Sequence, residues 1–216
     1  MQPFIRNHQY NVIRKQAALL ERACATVADP KVIEAVRYST TTRTIEAFPN
    51  ATEEQLGLLE QIAVLRTSEQ FQLYLQSFEP YMAEFPSLTA KQANRLFPKV
   101  KKLKLPDLAA IDYRFVTYVG WTDVATGRMY IVYERDGRFV GIEGRFTPAK
   151  KGVCFLCNRH EEVALFTSVS KLRPANASPD YYMAIGNYMC VDSGACNKNI
   201  TDLAALEKFL QAVVGS

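Results

Sequence analysis

The sequence predicts an α+β protein in which helices come first and a small antiparallel sheet follows. Three observations lead to this prediction. Apolar residues near the N-terminus recur at alternating steps of three and four, which is typical of amphipathic helices. From residue 113 onwards the chain changes to runs rich in β-branched and aromatic residues, which is typical of strands. Four of the five cysteines lie in the last third of the chain, which points to a metal-stabilised segment there.

Length and composition exclude several classes of protein. With 216 residues, of which 48% are hydrophobic, the chain can bury a sizeable core and is not grossly disordered. No apolar run approaches the roughly 18 residues that span a bilayer. The first fifteen residues are interrupted by charges, unlike a signal peptide. We therefore expect a soluble, cytoplasmic protein.

Residues 1–83 are predicted to form a bundle of four short helices. The first helix carries an apolar stripe that begins at Tyr10. Asp29 and Pro30 are a suitable N-cap and first residue for the second helix. We expect this second helix to end before the threonine-rich stretch at residues 39–44.

Capping patterns predict where the later helices begin. Thr52 and Gln55 form a capping box for the third helix. Ser68 is the expected cap of the fourth, which should end near Pro80. A brief helix is then expected at residues 89–97.

Residues 84–216 are predicted to be one α+β domain. Residues 98–106, where two prolines bracket four lysines, are interpreted as a linker region or its edge. Asp136 and Gly137 stand between two strand-like runs and predict a hairpin turn. The last segment, residues 201–214, returns to helical spacing.

The cysteines of the last third form two pairs: Cys154 and Cys157, then Cys190 and Cys196. A knuckle on a hairpin followed by a pair at the start of a helix is typical of a treble-clef zinc finger, which holds Zn²⁺ tetrahedrally through four thiolates. Because protein would fill every position, one zinc ion per chain is expected to have a structural role. His160 is an alternative fourth ligand.

Two other interpretations of the cysteines remain. Cysteine is among the most buried residue types, so the four could be unconnected core residues. A redox Cys-x-x-Cys motif would instead need a strand-to-helix step in a βαβ unit, whereas Cys154 follows an apparently antiparallel region. Catalysis is not expected, because the chain has two histidines and no Gly-rich phosphate loop.

Positive charge is concentrated in the middle of the chain. Residues 91–151 contain 13 Lys/Arg against 6 Asp/Glu, although the net charge of the whole chain is only +4. With Tyr118 and Trp121 available for stacking, this region suggests an alternative function as an RNA-binding zinc protein that contacts rRNA or tRNA. The basic side chains considered are Lys99, Lys101, Lys102, Lys104, Arg145, Lys150 and Lys151.

The cysteine segments resemble those of a known family. Residues 186–197, GNYMCVDSGACN, together with CFLC at 154–157 and LFTSVS at 165–170, are similar to elongation factor G-binding proteins, which include the FusB-type fusidic acid resistance proteins. The resemblance extends over nearly the whole chain. It implies a helical N-terminal domain and a C-terminal treble clef.

The resemblance also implies a function. A protein of this family is expected to bind elongation factor G, to promote its release from the ribosome and so to protect translation from fusidic acid. Its zinc ligands map onto the four paired cysteines, and its partner-binding aromatic residues map onto Phe155, Tyr188 and Phe209. Ile185 stands where related proteins have a lysine. We expect a monomer that makes at most transient contact with the ribosome or its RNA.

Overall fold

A computed structural model describes residues 1–178 and 180–215. The chain divides into two compact units, Met1–Ala83 and Glu84–Ser216. We call them the helical unit and the zinc-finger unit and describe each by itself. None of the described helices is long and apolar enough to cross a membrane.

The helical unit contains four α-helices and two short 3-10 segments within the described residues. The helices are α1 Asn7–Thr26, α2 Pro30–Glu46, α3 Glu53–Glu60 and α4 Ser68–Gln76. The 3-10 segments are Gln61–Val64 and Glu79–Tyr81. The predicted set of helices is present, but the two extra turns make the unit more complex than a plain four-helix bundle.

Side-chain caps determine where these helices start. Asp29 accepts a hydrogen bond from a backbone N–H in the first turn of α2, and Thr52 and Gln55 form the reciprocal capping box of α3. For α4 the cap is Thr67 and not Ser68, because Thr67 makes the capping box with the residue three positions later. That prediction was wrong by one residue.

Helix α2 continues through the threonine-rich stretch, where the sequence predicted its end. The Thr40 hydroxyl donates to the Arg37 carbonyl at 3.0 Å, and the Thr44 hydroxyl donates to the Thr40 carbonyl at 2.8 Å. Both threonines are fully buried. Since each hydroxyl is satisfied by the helix's own backbone, the helix accommodates these residues in the interior.

Apolar packing stabilises the helical unit. Tyr74 and Phe78 meet edge to face, with ring centroids 4.7 Å apart. The Tyr74 hydroxyl donates to the Leu59 carbonyl at 2.9 Å, so its polar end is paired. Other fully or nearly fully buried side chains are Ile5, Ile13, Leu20, Ile62, Phe71 and Met82.

The zinc-finger unit is built on a five-stranded antiparallel sheet with strand order β1-β2-β3-β4-β5. The strands are β1 Val119–Asp123, β2 Arg128–Arg135, β3 Arg138–Val153, β4 His160–Val169 and β5 Ala184–Cys190. Its helices are α5 Ala90–Leu96, α6 Ser193–Asn197 and α7 Ala204–Val214, with 3-10 turns at Leu108–Ala110 and Tyr113–Phe115. The predicted small antiparallel sheet is confirmed, and so is the α+β class.

The turn between β2 and β3 is the predicted two-residue hairpin. Asp136 and Gly137 have φ values of 53° and 77°. Positive φ at both central residues is the type I′ geometry that joins two twisted antiparallel strands.

Each face of the sheet packs against its own hydrophobic cluster. On one face, Phe166 and Ile142 pack with Leu210 of α7 and with the paired cysteines. On the other face, Tyr130 and Trp121 pack with residues of the 85–116 segment. The second cluster covers β1 and β2 and does not reach β5, where Ala184, Gly186 and Tyr188 are exposed on that face.

Residues 98–106 lie inside the zinc-finger unit, so their interpretation as a linker was wrong. Val100, Leu103 and Leu105 pack against the cluster that contains Trp121. The lysines between them are exposed. The segment alternates apolar and charged residues because one side of it covers the sheet and the other side faces water.

Candidate metal centre and its surroundings

The four paired cysteines come together at one buried point. Their sulfur atoms all lie within 4.8 Å of one another. The Cys154 and Cys196 sulfurs are 3.8 Å apart, and those of Cys157 and Cys190 are 3.6 Å apart. A tetrahedral zinc site with bonds of about 2.3 Å places its sulfurs about 3.8 Å apart, so this arrangement fits a zinc ion.

The first pair lies on a tight turn between β3 and β4. The Cys154 amide donates to the Arg159 carbonyl at 3.0 Å, and the Asn158 amide donates to the Cys154 carbonyl at 2.9 Å. Asn158 has a φ of 53°, a left-handed conformation that asparagine tolerates better than most residues. This turn points both thiols of the pair inwards.

The second pair spans the step from β5 to α6. Cys190 is the last residue of β5, and its amide lies 3.4 Å from the Cys154 sulfur. Asp192 caps α6 by accepting from the Gly194 amide at 2.7 Å. Cys196 then follows inside the capped helix, as the predicted treble clef requires.

Four thiolates this close together would repel one another, and a bound cation would offset that repulsion. Hydrogen bonds with the other three cysteines hold the pKa of Cys154 far below its usual range, and the bond with Cys157 makes the largest contribution. In turn, Cys154 raises the pKa values of Cys190 and Cys196 far above theirs. The four sulfurs therefore cannot all be thiolates by themselves, whereas a bound divalent cation stabilises all four. This donor set fits Zn²⁺.

His160 and the fifth cysteine, Cys24, both lie outside the cluster. His160 is exposed and is not part of the cluster among the described residues, so the alternative with a histidine ligand was wrong. Cys24 lies on α1 in the helical unit and is partly buried there.

Tyr118 and Asn197 support the cluster, and sequence reasoning missed both roles. The Asn197 side chain accepts from the amides of Thr117 and Tyr118 at 2.8 and 3.2 Å and donates to the Tyr118 carbonyl at 2.9 Å. This clamp fixes Tyr118 beside Cys196. The one available signal was the position of Asn197, directly after the fourth cysteine.

The ring of Tyr118 is fully buried, and Gly120 leaves room for it, since a Cβ there would lie 2.6 Å from the ring. Burial raises the pKa of Tyr118 well above its usual range, and the adjacent Cys196 raises it further. Its hydroxyl has no hydrogen-bond partner within the described residues. A protonated, orphaned hydroxyl beside a thiol is suited to donate to a metal-bound thiolate.

The three aromatic residues mapped from the resemblance do not form one exposed surface. Tyr188 is 51% exposed, whereas Phe209 is only 3% exposed. Phe155 is partly buried and packs on Phe209, with ring centroids 5.4 Å apart. Tyr188 lies opposite Leu165 in the register of β4 and β5, so it is on the sheet face opposite to Phe166. Phe166 is on the same face as Phe209, and their ring centroids are 5.8 Å apart.

The basic residues suggested for RNA contact are also scattered. Lys99 and Arg145 line a common groove of the zinc-finger unit, whereas the other lysines of 98–106 and 150–151 do not. Tyr118 and Trp121 are both buried, so neither can stack on a base. That part of the RNA interpretation was wrong.

Comparison with known families accounts for nearly the whole chain. Residues 4–86 match the model described as "Elongation factor G-binding protein, N-terminal". Residues 93–212, which include all four paired cysteines, match "FBP C-terminal treble-clef zinc-finger". The chain belongs to the elongation factor G-binding protein family.

A solved structure agrees with this assignment to the family. The chain is similar to the fusidic acid resistance protein FusC, with a TM-score of 0.78 and 27% sequence identity over 97% of each chain. A search of curated proteins gave no match. Membership of the family, of the FusB type, thus explains the order of the two units and the treble-clef cysteines.

Proposed function

We propose that this chain binds elongation factor G and promotes its release from the ribosome, which protects translation from fusidic acid. The observation that carries the proposal is the pair of family matches, which cover both units in the order found in this family. The likeness to FusC, a fusidic acid resistance protein, supports the part of the proposal that concerns the drug.

Zinc has a structural role in this proposal. Cys154, Cys157, Cys190 and Cys196 would hold it, and the bound ion would supply four strong bonds that tie the knuckle turn to β5 and α6. With four protein ligands the site leaves no position for water or substrate. We therefore infer a binding protein without catalytic activity.

The surface around Tyr188 is the best candidate contact. The Tyr188 backbone carbonyl accepts a hydrogen bond from the Phe155 amide at 2.9 Å, and the Tyr188 ring is half exposed. A ring mounted on a strand next to a metal-held turn loses little conformational entropy on binding, which favours affinity. Tyrosine is also enriched among residues that dominate interfaces. Phe209 is buried and would not contact the partner directly; it would position the ring of Phe155 by packing against it.

We further propose that the protein acts as a monomer in the cytoplasm, where the translating ribosome and its elongation factor are found. Contact with the ribosome would then be transient. A single peak at the monomer mass in light scattering is the expected result, and a stable dimer would contradict it.

The first experiment is calorimetric titration of the zinc-loaded chain into purified elongation factor G without ribosomes. We expect a one-to-one complex, and we expect Tyr188→Ala to weaken it at least 10-fold while the protein stays folded and retains zinc. Tyr182→Ala is the matched control, because Tyr182 is another exposed tyrosine of the same unit. Absence of binding by the unaltered protein would refute the proposal.

Release is tested separately. Dissociation of labelled elongation factor G from ribosomes stalled with fusidic acid should be faster when the chain is added, and Tyr188→Ala should abolish the acceleration. If the chain binds the factor but leaves the dissociation rate unchanged, binding stands and the release mechanism is refuted.

A further inference from the structure

The sheet face of the zinc-finger unit that presents Tyr188 also carries a groove, and the proposed function does not use the cations of that groove. Arg145, Thr167 and Gly186 are aligned across β3, β4 and β5 by the strand register. Side chains of aligned residues point to the same face. On this face a groove of about 880 Å³ lies over β3 and β4.

The groove is strongly basic. Four cations from separate parts of the chain line it, namely Lys99, Arg128, Arg145 and Lys171. Among the described lining residues the single carboxylate is Glu143, and Arg128 lies 3.5 Å from it. Because three other cations remain, the groove favours an anionic ligand.

Hydroxyl groups add hydrogen-bonding capacity to the groove. Thr147 and Thr167 both line it. Gly186 keeps the second hydroxyl accessible, because a Cβ at Gly186 would lie 3.0 Å from the Thr167 Oγ1 atom. Hydroxyls can donate to phosphate oxygens and can exchange hydrogen bonds with sugar hydroxyls.

An aromatic ring completes the site. Tyr182 lines the groove and is 68% exposed. Bases of single-stranded nucleic acids stack on such rings, while cations track the phosphates beside them. An acidic protein segment is the competing ligand, and the experiment includes an acidic peptide for that reason.

We propose that this groove binds a short single-stranded segment of RNA. Its phosphates contact Lys99, Arg145 and Lys171, and one base stacks on Tyr182. The volume is that of a pocket for a small ligand, so it accommodates a few nucleotides of a single strand and not a duplex. The groove lies on the same sheet face as Tyr188 but does not include it, so the two proposals are tested by different substitutions.

The test is fluorescence anisotropy with a labelled ten-nucleotide RNA of mixed sequence and the full, zinc-loaded chain, at salt concentrations from 50 to 200 mM. Three phosphate contacts predict a slope of about −2 for the logarithm of the association constant against the logarithm of salt concentration. Arg145→Ala and Lys171→Ala should each weaken binding and reduce the slope by about 0.7. Tyr182→Ala should weaken binding about 10-fold without changing the slope.

Lys151→Ala is the matched control, because Lys151 is an exposed cation on the same strand as Arg145 but outside the groove. Absence of RNA binding, or an equal loss with Lys151→Ala, would overturn the proposal. Equally tight binding of a labelled polyglutamate peptide would also overturn it in favour of a protein partner.

A titration of Arg145→Ala with elongation factor G separates the two proposals. Unchanged binding of the factor, together with weakened RNA binding, is the expected result. Loss of both would mean that the groove is part of the protein interface, and the RNA site would be abandoned.

Discussion

The two units of this chain stabilise their folds in different ways. The helical unit buries ordinary apolar side chains such as Phe71 and Phe78 between its helices. In the zinc-finger unit, the four paired cysteines are members of the main hydrophobic cluster and lie next to Phe166 and Leu210. The metal site of this protein is therefore part of the core, and losing the ion would leave four crowded sulfurs in the interior without the bonds that hold them together.

The strongest way to test this difference is Cys190→Ser. Structural zinc in small domains contributes about 10–16 kcal/mol of apparent binding free energy, which is comparable to the total stability of a domain. We expect the variant to lose zinc and amide protection throughout residues 153–214, whereas α1 to α4 keep theirs. Peptide-resolved hydrogen exchange and metal analysis measure both.

Cys24→Ser is the control for that experiment, because Cys24 is the one cysteine outside the cluster. It should retain one zinc per chain and full protection in the zinc-finger unit. If Cys190→Ser also kept its protection there, the metal would not be needed for that core.

The reciprocal change is Phe78→Ala in the helical unit. Phe78 is fully buried, and truncating a buried phenylalanine typically costs about 3–5 kcal/mol. Protection should fall in α1 to α4, and the zinc content should stay at one per chain. Leu73→Ala on α4, where Leu73 is 58% exposed, should change stability by less than about 0.5 kcal/mol. Equal effects of the two variants would argue against this core.

A smaller effect is expected at the polar clamp of the zinc-finger unit. Asn197→Ala leaves the amides of Thr117 and Tyr118 buried without their acceptor, which should destabilise the unit by about 1–3 kcal/mol. Asn199→Ala, which removes one local bond to Ala195, is the matched control. Thermal denaturation of the zinc-loaded proteins measures both. Equal melting temperatures of the two variants would contradict a stabilising role for the clamp.

The smallest predicted effect concerns the metal itself. Tyr118→Phe removes the hydroxyl that we expect to donate to the Cys196 thiolate, and loss of such a donor should weaken zinc binding about 10-fold. Competition with a chromophoric chelator measures the affinity, and the thiolate-to-metal charge-transfer band of the cobalt-substituted protein should shift. Tyr133→Phe is the control, because the Tyr133 hydroxyl bonds to Glu207 instead. Unchanged affinity and spectrum in Tyr118→Phe would exclude the hydrogen bond.

Local signals predicted the elements that depend on neighbouring residues. Asp29 and the Thr52 capping box mark helix starts because a cap acts within one turn, and Asp136-Gly137 marks the hairpin because its turn geometry needs positive φ. The end of α2 was mispredicted because threonine has a low intrinsic helix propensity. In the folded helical unit Thr40 is buried, and tertiary packing outweighs that propensity.

By itself the sequence determined the α+β class, the caps of α2 and α3 and the two cysteine pairs that are the candidate metal ligands, because each depends on residue spacing within a local segment. Tertiary structure alone decided that Tyr118 lies beside Cys196, that Phe209 is buried while Tyr188 is exposed, and that Lys171 joins Arg145 in one groove. These relations join residues far apart in sequence, and they depend on which face of the sheet each strand presents. A strand's alternation specifies two faces, but only packing against other elements determines which face is covered.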